Sequence, residues 1–281
     1  MVTIVADTLS SIPLDVAAEQ GIAMLPQIII FGEESYRDDT EMDTLTFLEK
    51  LRASPDLPKT AAPPPALYAP IFEKSAAEGH TIVCLCPSND LSGTVRSATV
   101  AQQDFPDADI RVIDTRSIGG QFGETVLLAA QWAREGVDAD TIIARVHDLM
   151  ARHRTYFVVD TLEYLHRGGR IGGAKALLGG VLQVKPILAL QNGRIEPMEQ
   201  QRTARRARAR LRELVLEECP RTPDAHPCVM QADAEEEAEA MAAELAVAIG
   251  VPAVPVYELP PAIVVHAGPG ALAAGFFAAA A

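Results

Sequence analysis

The chain has 281 residues, of which 48% are hydrophobic, so it can bury one large core or two ordinary ones. Its formal net charge is −14 at pH 7, which argues against a nucleic-acid-binding role in spite of local arginines. It contains no run of about eighteen apolar residues, and its start, MVTIVADT, is typical of a strand and not of a signal peptide. We therefore expect no membrane span and a cytoplasmic protein.

The first half of the chain alternates strand-like and helix-like segments. The predicted strands are Thr3–Ala6, Ile22–Phe31, Thr81–Cys86 and Ile110–Ile113, and the predicted helices are Ile12–Gln20, Asp43–Arg52, Pro65–Glu78, Gly93–Phe105, Gly120–Glu135 and Ala139–Arg152. The unbroken apolar run from Ile82 to Cys86 is typical of a central parallel strand, which is covered on both faces. The pattern predicts an α/β domain with a mainly parallel sheet over residues 1–150.

Small polar residues follow three of these strands, in segments 7–11, 89–94 and 114–117. Each segment alone is typical of a turn or a helix cap. Because the carboxyl ends of parallel strands meet at one edge of a sheet, we expect the three segments to converge there, where α/β proteins bind ligands. In the second segment, Asn89-Asp90-Leu91-Ser92-Gly93-Thr94, backbone N–H groups at the helix start favour an anion.

A different pattern begins after about residue 152. The predicted strands are Thr155–Val159, Gln183–Gln191, Arg194–Met198, Pro227–Gln231, Ala253–Glu258 and Ile263–His266, and the predicted helices are Thr161–His166, Ala174–Leu182, Thr203–Glu218, Ala234–Ile249 and the alanine-rich end from Pro269. Asn192-Gly193 is a strong hairpin signal, which suits a partly antiparallel sheet. We therefore predict a second, mixed α/β domain over residues 151–281.

The four cysteines give no sign of a cofactor. Cys84 and Cys86 should point to one face of a buried strand as reduced core residues. Cys219, His226 and Cys228 do not have the spacing of a paired zinc-binding motif. We expect no bound metal and no cofactor.

Three motifs, taken in order with the early Asp7–Ser11 turn and the element Tyr36–Asp39, resemble the DegV family over essentially the full length of the chain. They are LSGT at 91–94, LEYLHRGGRIGG at 162–173 and VVHAGPGALA at 264–273. The resemblance implies a two-domain α/β fold with a long-chain fatty acid buried between the domains. Some members of the family are the fatty-acid-binding subunits of bacterial fatty acid kinase, in which a separate ATP-binding subunit phosphorylates the bound carboxylate.

A buried fatty-acid carboxylate needs hydrogen-bond donors, and hydroxyls at a strand–helix turn supply them without burying a full charge. Ser92 is the first candidate donor, and Gly93 would let the ligand approach the backbone closely. The resemblance adds Thr60, which is kept where the family commonly has T-S-Q-P-S although alanines replace the serine and glutamine. It also adds His266, in an H-A-G-P-G motif, as a carboxylate contact that would be a charge-assisted donor if protonated.

Two arginines are candidates for contact with phosphate or with the kinase partner. Arg167 and Arg170 flank Gly168-Gly169, which is also the pattern of a helix end with arginines in solvent. The family pattern favours Arg170. Arg202 begins a basic helix, most of whose arginines would simply face solvent, although a positive rim could steer an acidic partner or ATP phosphates.

Other functions fit less well. Ser92, an aspartate and His266 occur in the chain order of α/β hydrolases, but the G-x-S-x-G elbow of those enzymes is absent. Neither G-x-G-x-x-G nor a phosphate-binding G-x-x-x-x-G-K-[ST] loop is present, so the chain alone should not bind ATP. A lipid carrier that works without a kinase is left open. We expect a monomer and no catalytic residue.

Overall fold

The computed structural model describes residues 1–178 and 184–279, and these form a layered α/β structure. The strands are β1 (Val2–Asp7), β2 (Ala23–Leu25), β3 (Ile28–Phe31), β4 (Glu34–Arg37), β5 (Lys59–Ala61), β6 (Thr81–Cys86), β7 (Ile110–Asp114), β8 (His153–Val158), β9 (Lys185–Gln191), β10 (Arg194–Gln201), β11 (Cys228–Ala232), β12 (Val256–Glu258) and β13 (Ala271–Phe277). The α-helices are α1 (Leu14–Glu19), α2 (Thr44–Ala53), α3 (Ala69–Ala77), α4 (Thr94–Gln102), α5 (Gly120–Arg134), α6 (Ala139–Arg152), α7 (Glu163–Arg167), α8 (Ala204–Glu218), α9 (Glu235–Ile249) and α10 (Pro261–Ala267). Short 3₁₀-helices lie at Thr8–Ser10, Pro65–Leu67, Gly172–Leu177 and Pro223–Ala225.

The first sheet is parallel, in the order β2-β1-β6-β7. Helices α5 and α6 pack Phe122 and Ile142 against one face, and α3 and α4 pack Phe72 and Ala98 against the other. The central strand β6 is buried over Ile82–Cys86, because both of its faces are covered. The predicted parallel sheet is therefore confirmed, and its carboxyl edge faces the second half of the chain.

One predicted strand, Ile22–Phe31, is wrong as a single element. It is two strands, of which β2 joins the parallel sheet and β3 pairs with β4 and β5 in a separate antiparallel sheet. The break falls at Pro26, which has no backbone N–H to continue the ladder. The side chain of the next residue, Gln27, donates to Asp7 at the end of β1.

The second sheet has the order β10-β9-β8-β13-β11-β12 and is mixed, because only β11 and β12 pair in parallel. The hairpin predicted at Asn192-Gly193 joins β9 and β10, and both of its residues have positive φ, as a tight hairpin turn requires. Helices α8 and α9 cover one face of this sheet, where Leu211 and Leu245 are fully buried.

The helix predicted for the alanine-rich end is wrong, because residues 271–277 are the strand β13. Alanine favours helices only weakly, and here tertiary packing decides. Strand β13 pairs with β8 on one side and β11 on the other, and it is buried along its whole length. Its small side chains let layers pack closely on both faces.

The strand predicted at Ile263–His266 is also wrong, because these residues lie in helix α10. Pro261 stands in the first turn, where a missing N–H costs nothing, and Gly268 ends the helix with a φ of 78°. The apolar run Ile263-Val264-Val265 looked strand-like because a largely buried helix loses its polar face.

The helix predicted over Ala174–Leu182 is only partly tested. The structure has a 3₁₀-helix at Gly172–Leu177, and residues 179–183 lie outside the described residues. The start of the predicted strand Gln183–Gln191 lies there too, and the described strand begins at Lys185. Of the remaining predicted elements, Thr81–Cys86 and Ala139–Arg152 have the predicted bounds, and the others appear with shifted ends.

The chain forms two α/β units with an excursion between them. The excursion, β3 to β5 with α2, leaves the first unit and packs Ile29 and Phe47 in one core with Leu188, Val264 and Ala273 of the second. The parallel sheet gives way to the mixed sheet between α6 and β8. That change fits the predicted division into residues 1–150 and 151–281, which stays a prediction.

Candidate functional site

A pocket lies between the carboxyl edge of the parallel sheet and the second unit. The space between its walls is about 940 Å³, counting the part open to solvent. Its walls are mainly apolar and come from both units, with Leu9, Leu91, Phe157, Leu190, Met230 and Ala273 among them. The polar side chains on the walls are Gln27, Thr60, Ser92, Thr155, Arg170 and His266. An apolar chamber with a few convergent polar groups is the usual form of a small-molecule site.

The predicted convergence of the three polar turns is confirmed. The Ser88 N–H donates to the carbonyl of Ser117 at 2.8 Å, and the Gly119 N–H donates to the carbonyl of Leu9 at 2.8 Å. These bonds tie the turns after β1, β6 and β7 into one edge, which carries Ser92 and Gly93 on the pocket wall.

Ser92 does more than cap a helix. The residue before α4 is Gly93, and no side chain caps that helix end. Ser92 Oγ accepts only a long hydrogen bond of 3.3 Å from the Thr94 N–H, and it lies 2.9 Å from Thr94 Oγ1. The hydroxyl is part-buried on the pocket wall, where it can meet a ligand.

Gly93 leaves space for a ligand. Its backbone is in an ordinary conformation, with a φ of −79°, so no left-handed turn requires the glycine. A Cβ at this position would touch only Ala62 Cβ, at 3.5 Å. The protein itself would tolerate a side chain here, so the glycine leaves space open on the pocket side.

Behind Ser92 lies a buried carboxyl group that the sequence analysis did not assign to the site. Thr94 Oγ1 donates to Asp7 Oδ2 at 2.7 Å, and Gln27 Nε2 donates to the same oxygen at 2.7 Å. The Leu9 N–H donates to Asp7 Oδ1 at 3.1 Å. Burial raises the pKa of Asp7 to about 7 although these three donors oppose the shift. The signal available in the sequence was Asp7 itself, directly after a buried strand.

A second, partly buried carboxyl group is joined to the first through Gln27. Asp38 accepts from Thr8 Oγ1 at 2.8 Å and from the Gln27 N–H at 2.8 Å. Burial, with the nearby Asp7, raises the pKa of Asp38 to about 7. Asp38 belongs to the Tyr36–Asp39 element, so this motif supports Gln27, which lies on the pocket wall.

Thr60 and His266 form a pair on the pocket wall. Thr60 Oγ1 lies 3.0 Å from His266 Nε2, and His266 Nδ1 is buried without a partner among the described residues. Burial and the nearby Arg170 lower the pKa of His266 to about 4. His266 is therefore a neutral imidazole near neutral pH, where it is not the charge-assisted donor that was expected if it were protonated. If Nε2 carries the proton, His266 donates to Thr60 and leaves the Thr60 hydroxyl free to donate into the pocket.

Arg170 reaches the pocket wall and bridges the two units. Its Nε donates to the carbonyl of Leu91 at 3.0 Å, and its Nη1 donates to the carbonyl of Gly168 at 2.7 Å. Burial lowers the pKa of Arg170, but a guanidinium stays charged. Among residues 1–178 and 184–279, no carboxylate lies within 4 Å of this guanidinium. A half-buried arginine without an acidic partner is suited to a ligand anion.

The other two arginines considered from the sequence lie away from the pocket wall. Arg167 is exposed and pairs with Glu163 at 3.3 Å. Arg202 is exposed at the end of β10 and does not line the pocket. The hairpin at the other end of β10 touches the Ser92 turn, where Ser88 Oγ donates to the carbonyl of Gly193 at 2.7 Å. The structure therefore brings together Thr60, Ser92, Gly93, Arg170 and His266, but not Arg202.

The arrangement does not provide the machinery of the alternative functions. Ser92 has Thr94 as its side-chain partner, whereas His266 bonds to Thr60, so Ser92 and His266 do not form a serine–histidine pair. In the part of the chain that the structure describes, no group of three or more His, Cys, Asp and Glu side chains could hold a metal ion. Within the same residues, no helix is both long and apolar enough to cross a membrane.

Comparison with known proteins agrees with this fold. A family model described as "uncharacterised protein, DegV family" matches residues 1–279. A DegV domain-containing protein of Streptomyces coelicolor is 36% identical over 273 residues, which cover 96% of each chain. A fatty-acid-binding DegV family protein of Thermus thermophilus is 31% identical, with a TM-score of 0.91 and 99% of both chains covered.

A further solved structure shares the fold at lower identity. The fatty acid kinase B3 protein of Streptococcus pneumoniae, loaded with linoleic acid, is 18% identical, with a TM-score of 0.81 and coverage of 99% of this chain and 100% of that one. Its two-domain α/β arrangement is the one described above. Over essentially its whole length, the chain belongs to the DegV family.

Proposed function

We propose that the protein binds a long-chain fatty acid in the pocket between its two units. The observation that carries the proposal is the pocket itself, an apolar chamber whose Ser92, Thr60 and Arg170 side can hold one carboxylate. The Thermus thermophilus relative with a TM-score of 0.91 is described as a fatty-acid-binding protein, which supports the same ligand class here.

The tail supplies most of the binding free energy. Each methylene group buried against apolar walls contributes about 0.8 kcal/mol, so a tail of about fifteen carbons represents roughly 12 kcal/mol before the costs of binding. Phe157, Leu190, Met230 and Ala273 of the second unit offer such a wall. A polar metabolite of similar size would gain little free energy from contact with this apolar wall.

The carboxylate is held mainly by neutral donors. Ser92 lies on the turn of the first unit, Thr60 lies on β5, and His266 orients Thr60 from α10. Arg170 adds a positive charge that has no acidic partner among the described residues. A carboxylate that loses its water needs such partners, since an unpaired buried charge is costly.

The same pocket suits presentation of the carboxylate to a second protein. We propose that a separate ATP-dependent kinase subunit phosphorylates the bound carboxylate to an acyl phosphate, with Arg170 meeting the transferred phosphoryl group. The motif resemblance supports this role, and so does the position of Arg170 on the pocket wall. A carrier without a kinase is the alternative, and it would need the same pocket but no contact of Arg170 with phosphate. Arg202, exposed at the end of β10, is kept only as a candidate contact on the partner surface.

Binding and transfer are tested separately. Lipid extraction from protein purified out of a bacterial host should yield a fatty acid at close to one molecule per chain, and a nucleotide or polar metabolite in its place would contradict the proposal. Addition of a cognate kinase and ATP should then give acyl phosphate. A bound fatty acid with no phosphorylation by any kinase encoded in the same organism would favour the carrier.

A further inference from the structure

A chain of three hydrogen-bonding groups runs from the pocket into the core. Ser92 Oγ lies 2.9 Å from Thr94 Oγ1, which lies 2.7 Å from Asp7 Oδ2. Each hydroxyl carries only one proton, so the two hydroxyls must donate in the same direction along the chain. The direction depends on whether Asp7 is ionised.

When Asp7 is ionised, the chain points inward. Thr94 gives its proton to Asp7, and Ser92 must then give its own proton to Thr94 Oγ1, because two oxygens 2.9 Å apart need a proton between them. Ser92 then offers only a lone pair to the pocket. A lone pair repels a carboxylate, so this state of the site disfavours the ligand.

When Asp7 is protonated, the chain points outward. Asp7 donates to Thr94, Thr94 donates to Ser92, and the Ser92 proton is free for a ligand oxygen. Gln27 Nε2 and the Leu9 N–H still donate to the carboxyl oxygens of Asp7, at 2.7 and 3.1 Å. No donor of the network is lost in this state.

We propose that Asp7 is a positioning residue that takes up one proton from solvent when a fatty-acid carboxylate binds at Ser92. The inference rests on the proposed function, because it needs a carboxylate in the pocket. The proton from solvent neutralises Asp7 and the ligand brings its own negative charge, so the buried network never holds both charges. The ligand is thereby bound as an anion that accepts a hydrogen bond from Ser92.

The surroundings of Asp7 fit this role. The side chain is fully buried, and its pKa of about 7 lies where a modest change in charge nearby alters its protonation. The titratable groups that face it are Asp38, joined through Gln27, and Tyr68, Cys84 and Cys86 on the elements beneath. The other titratable groups on the pocket wall are Arg170, which is charged, and His266, whose pKa of about 4 keeps it neutral.

The test compares palmitate binding by the delipidated full chain at pH 7 and pH 9, with proton uptake measured at pH 8 by calorimetry in two buffers of different ionisation enthalpy. The wild type should bind about tenfold more weakly at pH 9 and take up close to one proton. Asp7→Asn keeps the size and shape of the side chain and cannot ionise or take up a proton. It should bind equally at both pH values without proton uptake. Asp114→Asn changes a carboxylate at the next strand end and should behave as the wild type.

Proton uptake that persists in Asp7→Asn would overturn the proposal, because the proton would then sit on the ligand. Equal binding by the wild type at both pH values would overturn it too. Thr94→Val offers a second route, since it removes the hydroxyl that links Ser92 to Asp7: binding should then be equal at pH 7 and pH 9. Failure of the wild type to bind palmitate at either pH would contradict the proposed function, whereas binding without proton uptake contradicts only the role of Asp7.

Discussion

Thr60 Oγ1 lies 3.0 Å from His266 Nε2 although 206 positions separate the two residues in the chain. The pair joins the excursion from the first unit to helix α10 of the second, across the mouth of the pocket. Burial keeps the imidazole neutral, and its hydrogen bond ties His266 to the Thr60 hydroxyl on the pocket wall. The pocket is therefore completed only when both units are in place.

Loss of either neutral donor should weaken fatty-acid binding. Ser92→Ala, Thr60→Val and His266→Ala each remove a hydrogen bond to a charged acceptor, or the group that orients it, which costs about 1.5–3 kcal/mol. The affinity should fall by about ten- to a hundredfold. Displacement of a bound fluorescent ligand by the fatty acid measures this affinity directly. Ser35→Ala, an exposed serine on β4, is the matched control, and an equal loss in that variant would remove the case for a specific donor.

The two arginines around Gly168-Gly169 should separate binding from transfer. Arg170→Ala should leave most of the fatty acid in place, because neutral donors and the tail hold it, and should reduce acyl-phosphate formation by a cognate kinase. Arg167→Ala, exposed and paired with Glu163, should change neither. Lipid content per chain and acyl phosphate formed are measured on the same samples. An empty pocket in Arg170→Ala, with Ser92→Ala still loaded, would place the carboxylate at Arg170.

Two neighbouring glycines offer a test of the His266 position. A Cβ at Gly168 would collide with His266 Nδ1, whereas a Cβ at Gly169 meets nothing within 4 Å but stands at a φ of 72°. Gly168→Ala should displace the imidazole and lower fatty-acid affinity. Gly169→Ala should lower the free energy of unfolding by about 1 kcal/mol, because alanine is strained at this positive φ, and should leave fatty-acid affinity unchanged. Equal affinities in the two variants would show that the histidine position does not matter.

The buried carboxyl Asp7 should make stability depend on pH. Its pKa of about 7 in the folded protein lies above the usual 3.8, so folding favours its protonated form. As pH rises from 4 to 7, Asp7 ionises freely in the unfolded chain but not in the folded chain. The contribution of Asp7 to the free energy of unfolding therefore falls with rising pH. Asp7→Asn cannot ionise and should gain about 2–4 kcal/mol relative to the wild type over that range. Paired urea titrations at both pH values check it, and a constant difference would contradict it.

The candidate residues Thr60, Ser92, Gly93, Arg170 and His266 all lie on the wall of one pocket, whereas some of the predicted elements were wrong. Strand β6 was readable because a central parallel strand leaves an unbroken apolar run, Ile82–Cys86. Strand β13 and helix α10 were misread, because alanine propensity and β-branching are weak signals beside burial on all sides. Pro26 divides a segment whose apolar pattern is typical of one strand. The missing N–H of a proline breaks a strand only where a neighbouring strand needs it, and the sequence does not give that neighbour.

The polar network behind Ser92 shows what one sequence cannot give. Asp7, Gln27 and Thr94 are far apart in the chain and meet only after the parallel sheet has formed. Their convergence could be expected from the strand ends, but their hydrogen-bond pairing could not, because it depends on the break at Pro26 that turns Gln27 inward. Arg202 was a candidate only because it begins a basic segment, and such a pattern does not indicate how far a residue lies from the pocket.

Native mass spectrometry of the protein as purified from a bacterial host is the most direct test of fatty-acid binding. The spectrum should show one bound mass per chain that matches a long-chain fatty acid, and Ser92→Ala should carry clearly less of it than Ser35→Ala prepared in the same way. A wild-type chain without any bound lipid, which also fails to retain added palmitate or oleate, would contradict the assignment of the pocket.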